Sequence, residues 1–106
     1  MAQFDVHRNV GRLRDTVPFV VVVQSSQFDA YRRRVVVPLV KANTIDTPVL
    51  RVLNPIFKIE SVAVVLHPLD LVSVPTDQLG ERVGSLAKEG DAILTAIDEV
   101  LTRAWK

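Results

Sequence analysis

The sequence predicts an α+β fold, an antiparallel sheet of five to six strands followed by a long C-terminal α-helix. Three observations predict it. Two valine-rich runs, Phe19 to Val23 and Val35 to Leu39, flank a polar loop from Gln24 to Arg34, and the stiff χ1 of valine suits a pleated strand. Their near-continuous apolar character means that both faces are covered, which places the pair at the centre of a sheet. Further short apolar runs follow, and helical periodicity comes only in the final stretch. That order, strands and then helix, is the pattern of an α+β domain.

Gln3 to His7 alternates polar and apolar residues, with Phe4 and Val6 on one face, and reads as an opening half-buried strand. Arg8 to Val17 holds Asn9, Gly11 and three arginines. Asn and Gly tolerate left-handed backbone, so this segment reads as a connecting turn. Arg8, Arg12 and Arg14 form either a solvated loop or a contact for an acidic partner or a phosphate. After the central pair, Lys41 to Leu53 is punctuated by Asn43, Thr44, Asp46, Thr47 and Pro48 and reads as a loop or weak edge strand. Ile56 to Ile59 and Val62 to Leu66 flank Glu60 and Ser61, a spacer of hairpin length although neither residue is a favoured former of the tight hairpin turn. Leu69 to Val74 reads as a last short strand closed by Pro75, which has no ladder donor.

Thr76 or Asp77 caps a short helical turn ending near Gly80, and a longer helix runs from about Ser85 to Ala104. At ~100° per residue, Leu86, Ile93, Ile97, Val100 and Ala104 form one apolar stripe, and Leu94, Leu101 and Trp105 form a second beside it. The first stripe faces the core. The second is wider than one sheet requires, so it is either extra core or a surface for another chain. Arg103 and Lys106 suit the negative end of the helix dipole. Gly90 costs roughly 1 kcal/mol against alanine inside a helix, which makes the first turns its softest part.

Length is that of one domain, residues 1 to 106. Hydrophobic residues make up 48% of the chain, more than so small a domain easily buries, so a homodimer that hides an apolar patch is expected. The longest apolar run, Val17 to Val23, is far short of the ~20 residues that span a bilayer, and no basic and apolar leader precedes the first strand. The expectation is a cytoplasmic protein with no membrane contact. Cysteine is absent and His7 and His67 are the only histidines. Thiolate sites are thereby excluded, a zinc site cannot be built from two histidines alone, and no metal or other cofactor is assigned. The net charge of +1 is far from the basic balance that favours nucleic acid, and a nucleic-acid role would need a local patch.

Familiar catalytic constellations are missing. Ser25 and Ser26 lack the glycines of a nucleophile elbow, and Gly11, Gly80, Gly84 and Gly90 do not form a phosphate loop. Asp98 and Glu99 are adjacent on the helix and point in different directions, so they are not a facing carboxylate dyad. Arg32, Arg33 and Arg34 lead into a strand, where alternation sends Arg33 to the face opposite its neighbours. They are either a solvated strand start or a phosphate-binding group. The loop from Gln24 to Asp29 places Phe28 in a polar segment, where the ring needs a pocket of its own protein or one on another.

At this loop the sequence resembles the CcdB family of bacterial toxins. The matching residues are Gln3, Phe4, Val6, Asn9, Pro18, Phe19, Val23, Gln24, Ser25 and Asp29, then Arg34 to Leu39. They continue through Leu53, Pro55, Phe57, Ile59, Val74, Pro75, Leu79, Gly80, Val83, Leu86, Ile93, Ala96, Ile97 and Asp98. The resemblance implies a homodimer of small α+β protomers, with an SH3-like barrel related to that of the MazF and Kid ribonuclease toxins. It implies a non-enzymatic toxin that binds DNA gyrase through the gyrase A polypeptide, traps the cleaved gyrase–DNA complex, and is neutralised by a CcdA-like antitoxin.

By the same resemblance, gyrase is met by Gln27 and Phe28 in the loop and by Asp98, Leu101, Thr102 and Trp105 at the helix end. The antitoxin is met by Phe28, Arg32, Leu94 and Leu101. The loop reads Ser26, Gln27, Phe28 where the family often has Asp and two aliphatics. At the tail, an ungapped register puts Thr102 at the family's Trp position, so Trp105 comes one helical turn later. Two alternatives follow from the same kinship. One is an endoribonuclease like MazF and Kid with Arg32 or Arg34 stabilising phosphoryl charge, and the other is a family member that binds antitoxin but lacks gyrase poisoning.

Overall fold

The computed structural model describes residues 2–45 and 50–101. Seven strands and one helix follow in order: β1 (Asp5–Asn9), β2 (Phe19–Val22), β3 (Arg33–Lys41), β4 (Ile56–Ile59), β5 (Val62–Leu66), β6 (Val72–Pro75), β7 (Leu79–Ser85) and α1 (Gly90–Leu101). All pairings are antiparallel, in the order β4-β5-β3-β2-β1-β7 with β6 also on β3. The α+β class and the central valine pair stand as predicted.

The sheet forks at β3. Its first half, Arg33 to Val36, pairs with β6, whereas Leu39 to Lys41 pairs with β5 on the same side. β2 takes the other side, with Val21 opposite Val37 and Phe19 opposite Leu39. The fork and the curl of the sheet give a half-barrel. Strand alternation divides its side chains into two sets. Val6, Phe19, Val21, Val37, Leu39, Val64 and Leu66 face the main core, which Leu86, Ile93 and Ala96 cover from the C-terminal segment. Val20, Val22 and Val36 face the other way and pack with Val74 and Leu79.

β7 is the strand beyond the expected five to six. Leu79 to Ser85 holds two glycines and a charged pair, a composition that reads as connection, and its strand character comes from pairing with β1 in a register broken by bulges. Gly80 is required there, since a Cβ would lie 2.7 Å from the Arg8 carbonyl oxygen. The turn expected before it is present as a 3-10 turn at Thr76–Gln78.

Other boundaries move for local reasons. The first strand begins at Asp5 instead of Gln3, because Phe4 adopts φ 70° and Asp5 N–H closes a turn on the Ala2 carbonyl at 3.1 Å. The strand expected from Leu69 begins at Val72, after a 3-10 turn at Pro68–Asp70. The α-helix starts at Gly90, not Ser85. Leu86 N–H is still bonded to the Phe4 carbonyl at 2.8 Å, and a 3-10 turn at Ala87–Glu89 intervenes. The expected helix end at Ala104 lies outside the described residues.

Candidate functional site

The loop between β2 and β3 is held from both ends by the side chains of Gln24 and Arg34, which bond to backbone. Gln24 donates to the carbonyls of Phe28 and Arg33, each at 3.2 Å, and accepts Val35 N–H at 3.1 Å. Arg34, 6% exposed, donates to the Tyr31, Arg33 and Asp29 carbonyls, and its guanidinium lies 3.9 Å from the Asp29 carboxylate. A buried cation must have its donors satisfied. Here the loop carbonyls supply that need for Nη1 and Nη2, and the same bonds fix the path of the loop, while Nε is buried with no hydrogen-bond partner among the described residues. Arg33 turns to the opposite face, as alternation predicted, and is pinned by Ser73 through Nε to Oγ at 3.0 Å and Nη2 to the carbonyl at 2.8 Å.

Ser26–Phe28 forms a 3-10 turn capped by the Ser25 hydroxyl, and Tyr31 N–H bonds the Phe28 carbonyl at 3.1 Å. Residues three apart in so tight a turn fall on one side. Phe28 and Tyr31 accordingly stack, with ring centroids 6.0 Å apart and planes inclined by 21°. Phe28 remains 44% exposed and Tyr31 66%. The Phe28 ring has not found a closed pocket in its own protein; instead it walls an open cavity of about 750 Å³ with Gln24, Ser25, Tyr31, Arg32, Arg33, Val35 and Ser73. Gln27 and Arg32 are exposed beside it. Tyr31 and Ser73 were not singled out by sequence reasoning. The spacing Phe28 to Tyr31 was the available signal for the first, and nothing local in sequence links Arg33 to Ser73.

On α1 the two stripes separate as surfaces. Ile93 and Ala96 are buried, and Ile97 packs against the core. Leu94 is 45% exposed and Leu101 68%, one above the other at a spacing of two turns, with Asp98 exposed on the same helix. No α1 residue lines the loop cavity, so the predicted site residues fall into two groups, Gln27, Phe28 and Arg32 in one and Leu94, Asp98 and Leu101 in the other. Thr102 and Trp105 lie outside the described residues.

The sheet face turned away from α1 has a second cavity, of about 400 Å³, walled by Leu13, Val17, Val20, Val36, Val72 and Val74, with Arg8, Asn9, Asp70 and Gln78 also on its lining. Among the described residues no group of His, Cys, Asp or Glu side chains could hold a metal ion, and no helix is long and apolar enough to cross a membrane. Compared with known protein families, residues 3–102 match the model described as CcdB protein. The match takes in every strand, the loop between β2 and β3, and α1, and it stops short of Trp105.

Proposed function

The chain belongs to the CcdB family, toxins of toxin–antitoxin modules, and from that membership we propose that it is a homodimeric poison of DNA gyrase. In this reading the dimer binds the gyrase A polypeptide, holds the enzyme in its cleaved complex with DNA, and is released by a CcdA-like antitoxin. The carrying observation is the family match over residues 3–102. The exposed stripe of Leu94 and Leu101 supports it, since Leu101 is among the residues proposed to meet gyrase. A second copy on the sheet face turned away from α1 would cover Val72 and the cavity beside it, and a two-fold protein suits a two-fold target.

Action by binding and not by catalysis is supported by Arg34. Its Nη1 and Nη2 donate to loop carbonyls and its Nε is buried, which leaves it poorly placed to stabilise a phosphoryl group in the ribonuclease alternative. The test is a supercoiling and DNA-cleavage assay with purified protein and gyrase. Accumulation of cleaved complex, lost in Trp105→Ala and Leu101→Glu, supports the reading. Unchanged supercoiling and cleavage at saturating protein overturns it. If the same preparation still forms a tight complex with a CcdA-like antitoxin, the protein is a family member without gyrase poisoning. If it cuts a mixed-sequence RNA at defined sites, it is a ribonuclease.

A further inference from the structure

We infer that the cleft where β5 parts from β3 binds one phosphate group, free or as the end group of a small ester, through Lys41, Asn43 and Ser61. The site is independent of the gyrase reading, since neither the loop between β2 and β3 nor α1 contributes to it. β3 stops pairing with β5 at Lys41, opposite Val64, and the chain then leaves the ladder through a 3-10 turn at Ala42–Thr44. β5 reaches further in that direction, with Ala63 and Val62 paired to Lys58 and Ile59 of β4 and to nothing on β3. Between the parted chains lies a cavity of about 390 Å³, lined by Lys41, Ala42, Asn43, Ser61, Val62 and Ala63.

The polar side chains of this lining have no acceptors of their own. Lys41 is half-buried, and Asn43 and Ser61 are exposed; the side chains of all three have no hydrogen bond or ion pair among the described residues. No carboxylate among the described residues lines the cavity. Glu60, the chain neighbour of Ser61, is committed through both oxygens to Arg8. An ammonium partly withdrawn from water needs acceptors in place of its hydration. Here ammonium and amide come from one side of the cleft and a hydroxyl from the other, and Ala42, Val62 and Ala63 compete for none of them. A carboxylate brings two oxygens in one plane, whereas a phosphate group brings three around a centre, and lysine serves it as a point charge. A nucleic-acid strand fits less well, because a phosphate chain needs several cations in a row and the cleft has one.

The backbone of the site is fixed in advance. Lys41 N–H bonds the Thr16 carbonyl at 2.9 Å, and the Lys41 carbonyl accepts the Thr44 hydroxyl at 2.8 Å. Ser61 sits at φ 67° in a two-residue turn closed by the pair Ile59 and Val62. Little backbone ordering is therefore required when a ligand arrives.

The experiment follows the backbone amide signals of the isotope-labelled full chain by NMR as sodium phosphate is added near neutral pH, with sodium chloride holding the ionic strength constant. Saturable shifts are expected at Asn43, Ser61, Val62 and Ala63, with Val21 and Val37 unmoved. Lys41→Gln is expected to weaken binding roughly tenfold or more, the usual loss when a charged hydrogen bond is removed, and Asn43→Ala and Ser61→Gly by smaller factors. The same spectra show whether each variant is folded. Lys88→Gln removes an exposed cation elsewhere and is expected to leave binding unchanged. Adenosine monophosphate is expected to shift the same amides, and adenosine to leave them in place. Tighter binding of the monophosphate than of inorganic phosphate assigns the site to an ester, and equal or weaker binding assigns it to the free anion. The proposal is overturned by the absence of saturable shifts, by unchanged binding in the folded variants of Lys41, Asn43 and Ser61, or by an equal loss in Lys88→Gln. Acetate binding as tightly as phosphate overturns it too, as does tighter binding of an oligothymidylate without terminal phosphate.

Discussion

Arg8 and Glu60, 52 residues apart in sequence, are joined by two hydrogen bonds from Nη2 to the two carboxylate oxygens, at 2.8 and 2.9 Å. Arg8 lies in β1, and Glu60 lies at the turn between β4 and β5. Along the sheet these strands are separated by β3 and β2, so the contact spans the mouth of the curl and ties its two ends. Arg8 also donates from Nε to Glu81 on β7 at 2.7 Å, and its guanidinium carbon lies 5.9 Å from the centre of the Phe19 ring.

Glu81 first, and then Glu60, hold the Arg8 pKa above its already high ordinary value. A raised pKa on a cation means that the stabilisation is fully present below the unfolded-state value and is lost only as pH rises through the folded one. The tie is therefore expected to hold Arg8 charged throughout neutral and mildly alkaline pH. Because the groups are exposed, salt should weaken it. Thermal melts of Arg8→Ala should show a deficit against wild type that shrinks in high salt, with no new transition between neutral and mildly alkaline pH. A deficit independent of salt would mean that Arg8 acts through packing on Phe19.

Ser61→Gly should stabilise the protein. Glu60 and Ser61 both have positive φ, 50° and 67°, the geometry of the tight two-residue hairpin turn, in which a side chain is strained and glycine is not. Relief of about 1 kcal/mol is expected, read as a rise of a few degrees in Tm. Ser61→Val should move it the other way, since a β-branched side chain suits that region least.

Read as a helix-interior position, Gly90→Ala should gain about 1 kcal/mol, but Gly90 is the first residue of α1, and the structure predicts the opposite sign. A Cβ at Gly90 would lie 2.7 Å from Cε2 of Phe4 and 3.2 Å from two more of its ring atoms. Phe4 is itself buried in the core and fixed by a left-handed backbone. Overpacking of this kind typically costs about 1–3 kcal/mol. Denaturant unfolding of Gly90→Ala, alone and with Phe4→Leu, checks the assignment: the smaller side chain should recover part of the loss.

These cases show why some of the molecule was legible in the sequence and some was not. The valine runs of β2 and β3 announce themselves because burial on both faces leaves no polar alternation to misread. β4 and β5 match their predicted ends because the Glu60–Ser61 spacer has hairpin length whatever its turn propensity. β7 was hidden, since Gly80 and Gly84 look like loop until β1 is beside them. Gly90 read as a weak point of a helix because its partner, Phe4, is distant in sequence. At the candidate site, Phe28 stood out as an aromatic in polar surroundings. Arg34 stood out only as a phosphate-binding candidate, because nothing local distinguishes an arginine that binds a ligand from one that binds the carbonyls of its own loop.

The role of Arg34 gives the last prediction. Its planar guanidinium reaches three carbonyls at once, those of Asp29, Tyr31 and Arg33, from a position 6% exposed to solvent. Lysine keeps the charge but offers a single ammonium with a different reach. Arg34→Lys should therefore leave at least one loop carbonyl unmet, at a cost on the order of 1–3 kcal/mol. The loss should be concentrated where the bonds are. Hydrogen exchange is expected to accelerate at the amides of Phe28, Asp29 and Tyr31, which close the loop's own turns, well before those of Val21 and Val37 in the central pair. Arg33→Lys loosens Ser73 and not the loop carbonyls, so it should leave those three amides protected. Equal acceleration in both variants would show that the loop is held by its turns alone, and that Arg34 is buried for some other reason.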